Sequence, residues 1–106
     1  MTKDVRITEK TFKVLEVFVK NSRSDRYGLE MCGLTRLSYD KVQPILRRLE
    51  QAGWLEASWE DIDPQQAKRR ARRYYRLTNE GCLRARAEVD RIEKPSRQRL
   101  VPAFGN

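Results

Sequence analysis

The sequence contains no histidine, and only two cysteines, Cys32 and Cys82, stand among its 106 residues. A zinc site built from protein ligands usually needs four Cys or His side chains, so neither a metal nor a cofactor is predicted. The lack of histidine also removes the commonest general base. No glycine-rich phosphate loop and no recognisable catalytic pair of carboxylates is present. We therefore predict a protein that is not an enzyme.

Long apolar runs are also missing. No segment approaches the ~20 apolar residues of a membrane-spanning helix, and the first ten residues, MTKDVRITEK, contain no apolar signal segment. These features predict a cytoplasmic protein with no membrane partner. In that compartment, two cysteines far apart in sequence are expected to be buried or half-buried thiols.

Positive charge is abundant. The 23 Lys and Arg residues outnumber the 15 acidic residues, which gives a net charge of +8 and a pI of about 9.9. A balance this basic favours a polyanionic partner, and nucleic acid is the natural candidate. The length fits one small domain.

The first predicted helix begins after Thr8, a plausible N-cap, and runs to about residue 21. Its apolar side chains, which include Val14, Val17 and Phe18, cover more than half of the helical wheel. A surface helix needs only one apolar stripe about 100° wide. The excess predicts burial on two sides, by the chain's own core and by a second surface. The alternative is a central core helix in a monomer.

Two further helices form a helix-turn-helix pattern. The first covers about residues 26–35, with Asp25 as its N-cap. The second follows the N-cap candidate Ser38 and stops at Gly53. Its apolar positions Val42, Ile45, Leu46 and Leu49 follow helical spacing. The opposite face is polar and basic.

The next segment predicts a two-stranded hairpin. The stretch WLEASWEDI alternates as a half-buried strand, with Trp59 expected in the core, and RRYYRLT is the return strand, with Tyr75 in the core. Between them, DIDPQQAKRRA is a polar loop. Thr78 then caps a last helix that ends near residue 93. The fold class is therefore α+β and mainly α: a winged helix-turn-helix of three helices and a two-stranded wing, followed by a C-terminal helix.

The basic run KRRAR, residues 68–72, forms the tip of this wing and the start of its return strand. On a loop beside the helix-turn-helix, these cations can reach phosphates or a minor groove. A solvated charged loop is the alternative. The acidic residues Glu60, Asp61 and Asp63 at the other end of the loop are expected to hold these cations when no DNA is bound.

The last helix predicts a dimer. Its residues Cys82, Ala85, Val89 and Ile92 follow heptad-like spacing and form an apolar seam on one side. We divide the chain into a winged helix-turn-helix domain (1–78), a C-terminal dimerisation helix (79–94) and a flexible basic tail (95–106). The tail is either an extra basic arm or unstructured.

Three motifs resemble a known family. The segments YGLEM at 27–31, PILRRLEQAGWLE at 44–56 and RRYYRLTNEG at 72–81 look like the PadR family of bacterial winged-helix transcription regulators. The similarity covers about residues 12–92, and the short C-terminus resembles the subgroup with a single dimerisation helix. It implies a homodimer whose recognition helix enters the major groove of a palindromic operator. In many members repression is relieved by a small molecule, which this sequence does not identify.

Two positions depart from the family pattern. Gln43 stands where a tyrosine usually precedes the helix-three proline, and Lys41 replaces a small hydroxyl residue. Base readout is therefore expected to differ from that of relatives.

The resulting hypothesis is a dimeric, sequence-specific DNA-binding regulator, most simply a repressor. The alternative is a winged-helix protein-interaction module or a nonspecific nucleic-acid-binding protein. The predicted DNA contacts are Tyr27, Ser38, Tyr39, Lys41, Gln43, Arg47, Arg48, Lys68, Arg69, Arg70 and Arg72. The predicted dimer contacts are Val14, Val17, Phe18, Cys82, Ala85, Val89 and Ile92.

Overall fold

The computed structural model describes residues 4–93. The elements in order are α1 (Glu9–Lys20), β1 (Arg26–Tyr27), α2 (Gly28–Thr35), α3 (Tyr39–Gln51), β2 (Leu55–Trp59), α4 (Pro64–Ala67), β3 (Arg73–Leu77) and α5 (Asn79–Glu93). The winged helix-turn-helix prediction is confirmed. The predicted tail, residues 95–106, lies outside the described residues. No helix within residues 4–93 is both long enough and apolar enough to cross a membrane.

Side-chain and backbone caps define the ends of the helices. The Thr8 hydroxyl accepts a hydrogen bond from the Thr11 amide at 3.2 Å and caps α1 as predicted. At the end of α3, the Trp54 amide donates to the Leu49 carbonyl and the Gly53 amide donates to the Glu50 carbonyl. This is the Schellman arrangement, and Gly53 supplies the left-handed backbone that it requires, with φ 84°.

The sheet has three antiparallel strands in the order β1-β3-β2, one more than the sequence predicted. Arg26 and Tyr27 pair with Tyr75 and Tyr74 of β3. The predicted second helix therefore begins two residues late, at Gly28 rather than Arg26. The reason is local: the N-cap residue of a helix is extended, as Tyr27 is here, and an extended residue can join a sheet edge.

The wing loop also contains more structure than predicted. Residues 64–67 form one helical turn, α4, inside the segment expected to be an irregular polar loop. The Asp63 side chain caps this turn by accepting a hydrogen bond from the Gln65 amide at 3.0 Å. Pro64 suits the first helical position because its fixed φ matches the helix and its missing N–H is not needed there.

The core lies between α1, α2, α3, α5 and the inner face of the sheet. Trp54, Phe18, Leu15, Met31, Leu46 and Leu49 are its largest completely buried side chains, together with Leu55 from β2. Tyr75 is 5% exposed, which confirms its prediction as a core residue. Both cysteines are free and half-buried.

The predicted dimer seam lies largely inside the chain itself. Val14, Phe18 and Ala85 have no exposed surface, and Val89 is only 6% exposed. The physical reason is that α5 packs against α1 of the same chain, so these four side chains present no surface to a second copy. The chain itself thus buries Val14 and Phe18 of α1, whereas Val17 on the same helix is half-buried.

A close backbone contact joins α5 to the turn between α3 and the wing. The Thr78 hydroxyl donates to the Gly53 carbonyl at 2.7 Å and accepts from the Gly81 amide at 2.9 Å. The Thr78 amide donates to the Trp54 carbonyl at 3.0 Å. A Cβ added at Gly81 would lie 1.9 Å from that carbonyl oxygen. The first turn of α5 therefore fits only with glycine at this position.

This contact predicts opposite effects for two Gly→Ala changes in helices. Gly81→Ala should destabilise the fold by about 1–3 kcal/mol or more, because backbone must move to admit the methyl group. Gly33→Ala in α2 is the matched control, because a Cβ there meets nothing within 4 Å. It should stabilise the helix by up to about 1 kcal/mol. Thermal unfolding measures both changes, and equal melting temperatures for the two variants would contradict the contact.

Candidate nucleic-acid interface

An open cleft separates the outer face of α3 from the inner face of the wing. Residues from β1, α2, α3, the wing loop and both wing strands line it. They are Tyr27, Gly28, Leu29, Tyr39, Gln43, Arg47, Glu50, Trp59, Arg69, Arg70, Ala71, Arg72, Arg73 and Tyr75. Five arginines and four aromatic rings thus meet at one surface. This mixture of donors and flat apolar groups can bind phosphates and base edges.

On one side of the cleft, α3, the predicted recognition helix, packs against α2. A Cβ placed on Gly28 would lie 3.1 Å from both Gln43 Oε1 and Tyr39 Cε1. Gln43 is half-buried as a result, whereas Arg47 is exposed one turn further along α3. The amide of Gln43 is therefore positioned by the packing of α2, and the Arg47 guanidinium is free to extend outwards.

An ion pair joins α3 to the wing. The Arg73 Nη2 of β3 lies 2.8 Å from Glu50 Oε2 of α3. The same guanidinium lies 5.3 Å from the centre of the Trp59 ring, which belongs to the paired residue of β2. This contact holds the wing at a fixed distance from the recognition helix.

The prediction of Trp59 as a core residue is wrong, because its side chain is 64% exposed. Trp59 lies on the same face as Leu55 and Ala57, as the alternation predicted. At Trp59, however, the hairpin has already passed beyond the core, so this face opens into the cleft. Trp54, by contrast, is 1% exposed and is a core residue.

Glu60 organises the base of the wing loop. Its two carboxylate oxygens accept hydrogen bonds from the two terminal nitrogens of Arg69, at 2.6 and 3.0 Å. The Arg72 amide donates to the same carboxylate at 3.3 Å, and the Glu60 amide donates to the Arg72 carbonyl at 2.8 Å. The hydrogen bonds from Arg69 outweigh partial burial and lower the pKa of Glu60 to about 2.

A stack of side chains joins Tyr27 of β1 to Arg72 and Tyr74 of the hairpin. The Arg72 guanidinium lies 4.4 Å from the centre of the Tyr27 ring. Tyr27 in turn meets Tyr74 edge to face, with ring centres 5.4 Å apart. Stacking of a guanidinium on a tyrosine ring orients the cation without neutralising it. Arg72 therefore keeps its charge facing the cleft.

The structure brings seven of the predicted DNA-binding residues together in the cleft: Tyr27, Tyr39, Gln43, Arg47, Arg69, Arg70 and Arg72. Arg48 lies beside it, in a shallow groove that also includes Pro44 and Gln51. Ser38, Lys41 and Lys68 are exposed but do not line the cleft. Ser38 instead forms a hydrogen bond with Asp40 that lowers the pKa of that carboxyl.

Sequence reasoning missed Leu29, Glu50, Trp59 and Arg73 as cleft residues. Strand pairing could have indicated two of them. Trp59 and Arg73 are direct cross-strand partners, so an exposed Trp59 would bring Arg73 with it. The contact of Glu50 with Arg73 joins two distant elements, and no local pattern predicts it.

The family comparison agrees with this geometry. Residues 14–87 match the model of the transcriptional regulator PadR-like family, which is well over half of the chain. The chain belongs to the PadR-like family. This family consists of transcription regulators rather than enzymes. No curated protein sequence matches the chain.

Solved structures show the same winged-helix fold as this PadR-like chain. The protein smu.1704 from Streptococcus mutans UA159 is 22% identical, with a TM-score of 0.67, over 96% of this chain and 94% of its own. A PadR family transcriptional regulator from Eggerthella lenta DSM 2243 is 21% identical, with a TM-score of 0.61, over 91% of this chain and 81% of its own. Reduced AbfR, solved bound to DNA, is 20% identical, with a TM-score of 0.64, over 93% of this chain and 68% of its own.

The Glu60 contacts predict how stability depends on pH. A carboxyl group whose pKa falls on folding from 4.5 to about 2 stabilises the fold only while it is ionised. Its contribution is complete above pH 4.5 and is lost as the pH falls towards 2. Glu60→Gln should therefore lower the stability at neutral pH, and the difference from wild type should shrink between these pH values. Denaturant unfolding at several pH values measures it. A difference that stays constant down to the lowest pH would contradict the ion pair with Arg69.

Proposed function

We propose that this chain is a homodimeric, sequence-specific DNA-binding repressor that reads a palindromic operator. One observation carries the proposal: the cleft between α3 and the wing gathers arginines and aromatic rings beside the recognition helix of a winged fold. Membership of a family of transcription regulators agrees with it. Because the partner is DNA, we propose the cytoplasm as its location.

In this proposal α3 enters the major groove and supplies base readout. The side chains of Gln43 and Arg47 project from the face of α3 opposite the buried Val42 and Ile45. Glutamine can pair bidentately with adenine, and arginine with guanine. Lys41 and Arg48 flank them on the exposed surface and are suited to phosphate contacts on either side.

The wing supplies affinity rather than sequence choice. Lys68 and Arg70 are exposed on the loop after α4, where they can reach phosphates or the minor groove. The structure of a fold relative, reduced AbfR, was solved with DNA, which supports a DNA-binding role for the same architecture. The wing of this chain carries the cations that such a role needs.

A second copy would use the outer side of α5. Leu83 is 70% exposed and Ile92 is 43% exposed. Cys82 and Val17, also among the predicted dimer contacts, are half-buried. A symmetric dimer through this helix would place two α3 helices for the two half-sites of a palindrome. The inward-facing residues Val14, Phe18, Ala85 and Val89 would support α5 from behind without touching the partner.

The division of labour between α3 and the wing predicts two distinct phenotypes. Gln43→Ala should relax base preference at one position of each half-site, since a good base pair contact contributes roughly 1–3 kcal/mol of discrimination. The double change Lys68→Ala and Arg70→Ala should weaken binding to all sequences and reduce the slope of log affinity against log salt by about 0.9 per lost contact. Randomised-site selection measures the first effect, and salt titration measures the second. Indistinguishable phenotypes would contradict the assignment of these roles.

The dimer surface predicts a charge-sensitive association. Leu83→Lys should raise the dimer dissociation constant by at least roughly tenfold, because a buried leucine contributes about 1.5–3 kcal/mol and each dimer contains two. Leu34→Lys is the matched control, because Leu34 is an exposed leucine on α2, 51% accessible, outside the proposed interface. Sedimentation equilibrium measures both. A wild-type chain that stays monomeric at about 50 μM would contradict the dimer, because a functional dimer needs a Kd well below that value.

A further inference from the structure

The wing arginines of the cleft are not equivalent, because one of them already holds a carboxylate. Arg69 donates two parallel hydrogen bonds to Glu60, at 2.6 and 3.0 Å, in the bidentate geometry that arginine also adopts with phosphate. Arg70, its neighbour, is exposed. The carboxylate thus occupies the position at which a backbone phosphate would meet Arg69.

Glu60 is held firmly in that position. Its side chain is 17% exposed, less than the 36% of Arg69. The Arg72 amide donates to its carboxylate, and the Tyr74 hydroxyl lies 3.5 Å from the second carboxylate oxygen. The backbone of Glu60 is paired with that of Arg72 by a hydrogen bond of 2.8 Å. The acid is therefore fixed in the hairpin, and the guanidinium is the partner that can move.

We propose that Glu60 is an internal competitor for DNA at Arg69. In the free protein the carboxylate neutralises one wing arginine, and a DNA phosphate must displace it or accept a weakened contact. Glu60 thereby limits the affinity of the wing for any duplex and leaves discrimination to α3. The inference rests on the proposed DNA-binding function, and it assigns to Glu60 a role in setting the affinity of the wing for DNA.

The neighbouring acid provides a matched control. Asp61 is the next residue in the chain and is exposed. Asp61→Asn removes the same charge as Glu60→Gln at almost the same place, but it leaves the hydrogen bonds of Arg69 unchanged. A general electrostatic effect on DNA would make the two variants alike. Competition at Arg69 would make them different.

The experiment measures the affinity of the full chain for a random-sequence duplex of about 30 base pairs as a function of salt. The variants are wild type, Glu60→Gln, Asp61→Asn, Arg69→Ala and the double variant Glu60→Gln with Arg69→Ala. Thermal melts establish that each variant is folded at the temperature used.

Glu60→Gln should steepen the slope of log affinity against log salt by about 0.9 relative to Asp61→Asn, and bind roughly tenfold more tightly at about 50 mM salt. In the Arg69→Ala background the same change should have only the small effect of Asp61→Asn. Equal slopes for Glu60→Gln and Asp61→Asn would overturn the inference, as would a gain that persists without Arg69. Weaker binding by folded Glu60→Gln would also overturn it. A wild type that binds neither this duplex nor any genomic fragment even at low salt would instead refute the proposed function.

Discussion

The backbone contact between the start of α5 and the end of α3 determines how the functional parts of this protein are arranged. Thr78 and Gly81 meet the carbonyls of Gly53 and Trp54, at the point where the recognition helix ends and the first wing strand begins. The Schellman turn at Gly53 fixes the direction in which the chain leaves α3. The hairpin then returns to Thr78, so the wing is anchored at both of its ends beside α3.

On this frame, paired charges divide the arginines of the cleft into two groups. Arg73 and Arg69 are held by Glu50 and Glu60, and these pairs set the position and the shape of the wing. Both pairs are partly exposed, so each is expected to contribute only modestly to stability. Arg47 and Arg70 remain exposed, Arg72 is stacked on Tyr27, and all three can meet a polyanion. The 23 Lys and Arg residues of the chain therefore overstate the positive charge that the cleft offers to DNA.

Local patterns predicted much of this fold. The caps and periodicity of α1 and α3 and the alternation of β2 each depend on residues close in sequence, and the structure confirms them. The additional strand β1 and the single helical turn α4 were missed because each is too short to show a periodic pattern in the sequence. Alternation placed Trp59 on the correct face but does not reveal where a strand leaves the core. The apolar width of α1 predicted burial on two sides, and no local feature indicated that α5 of the same chain covers Val14 and Phe18.

The central claim is that the chain recognises a defined DNA sequence, and selection from genomic DNA tests it most directly. Fragments of the source genome, including the region upstream of the chain's own coding sequence, would be incubated with the protein at moderate salt with excess competitor DNA. A sequence-specific regulator retains one or a few fragments under these conditions. Loss of every fragment together as competitor or salt rises would contradict the account, and would assign the basic cleft to nonspecific nucleic-acid binding.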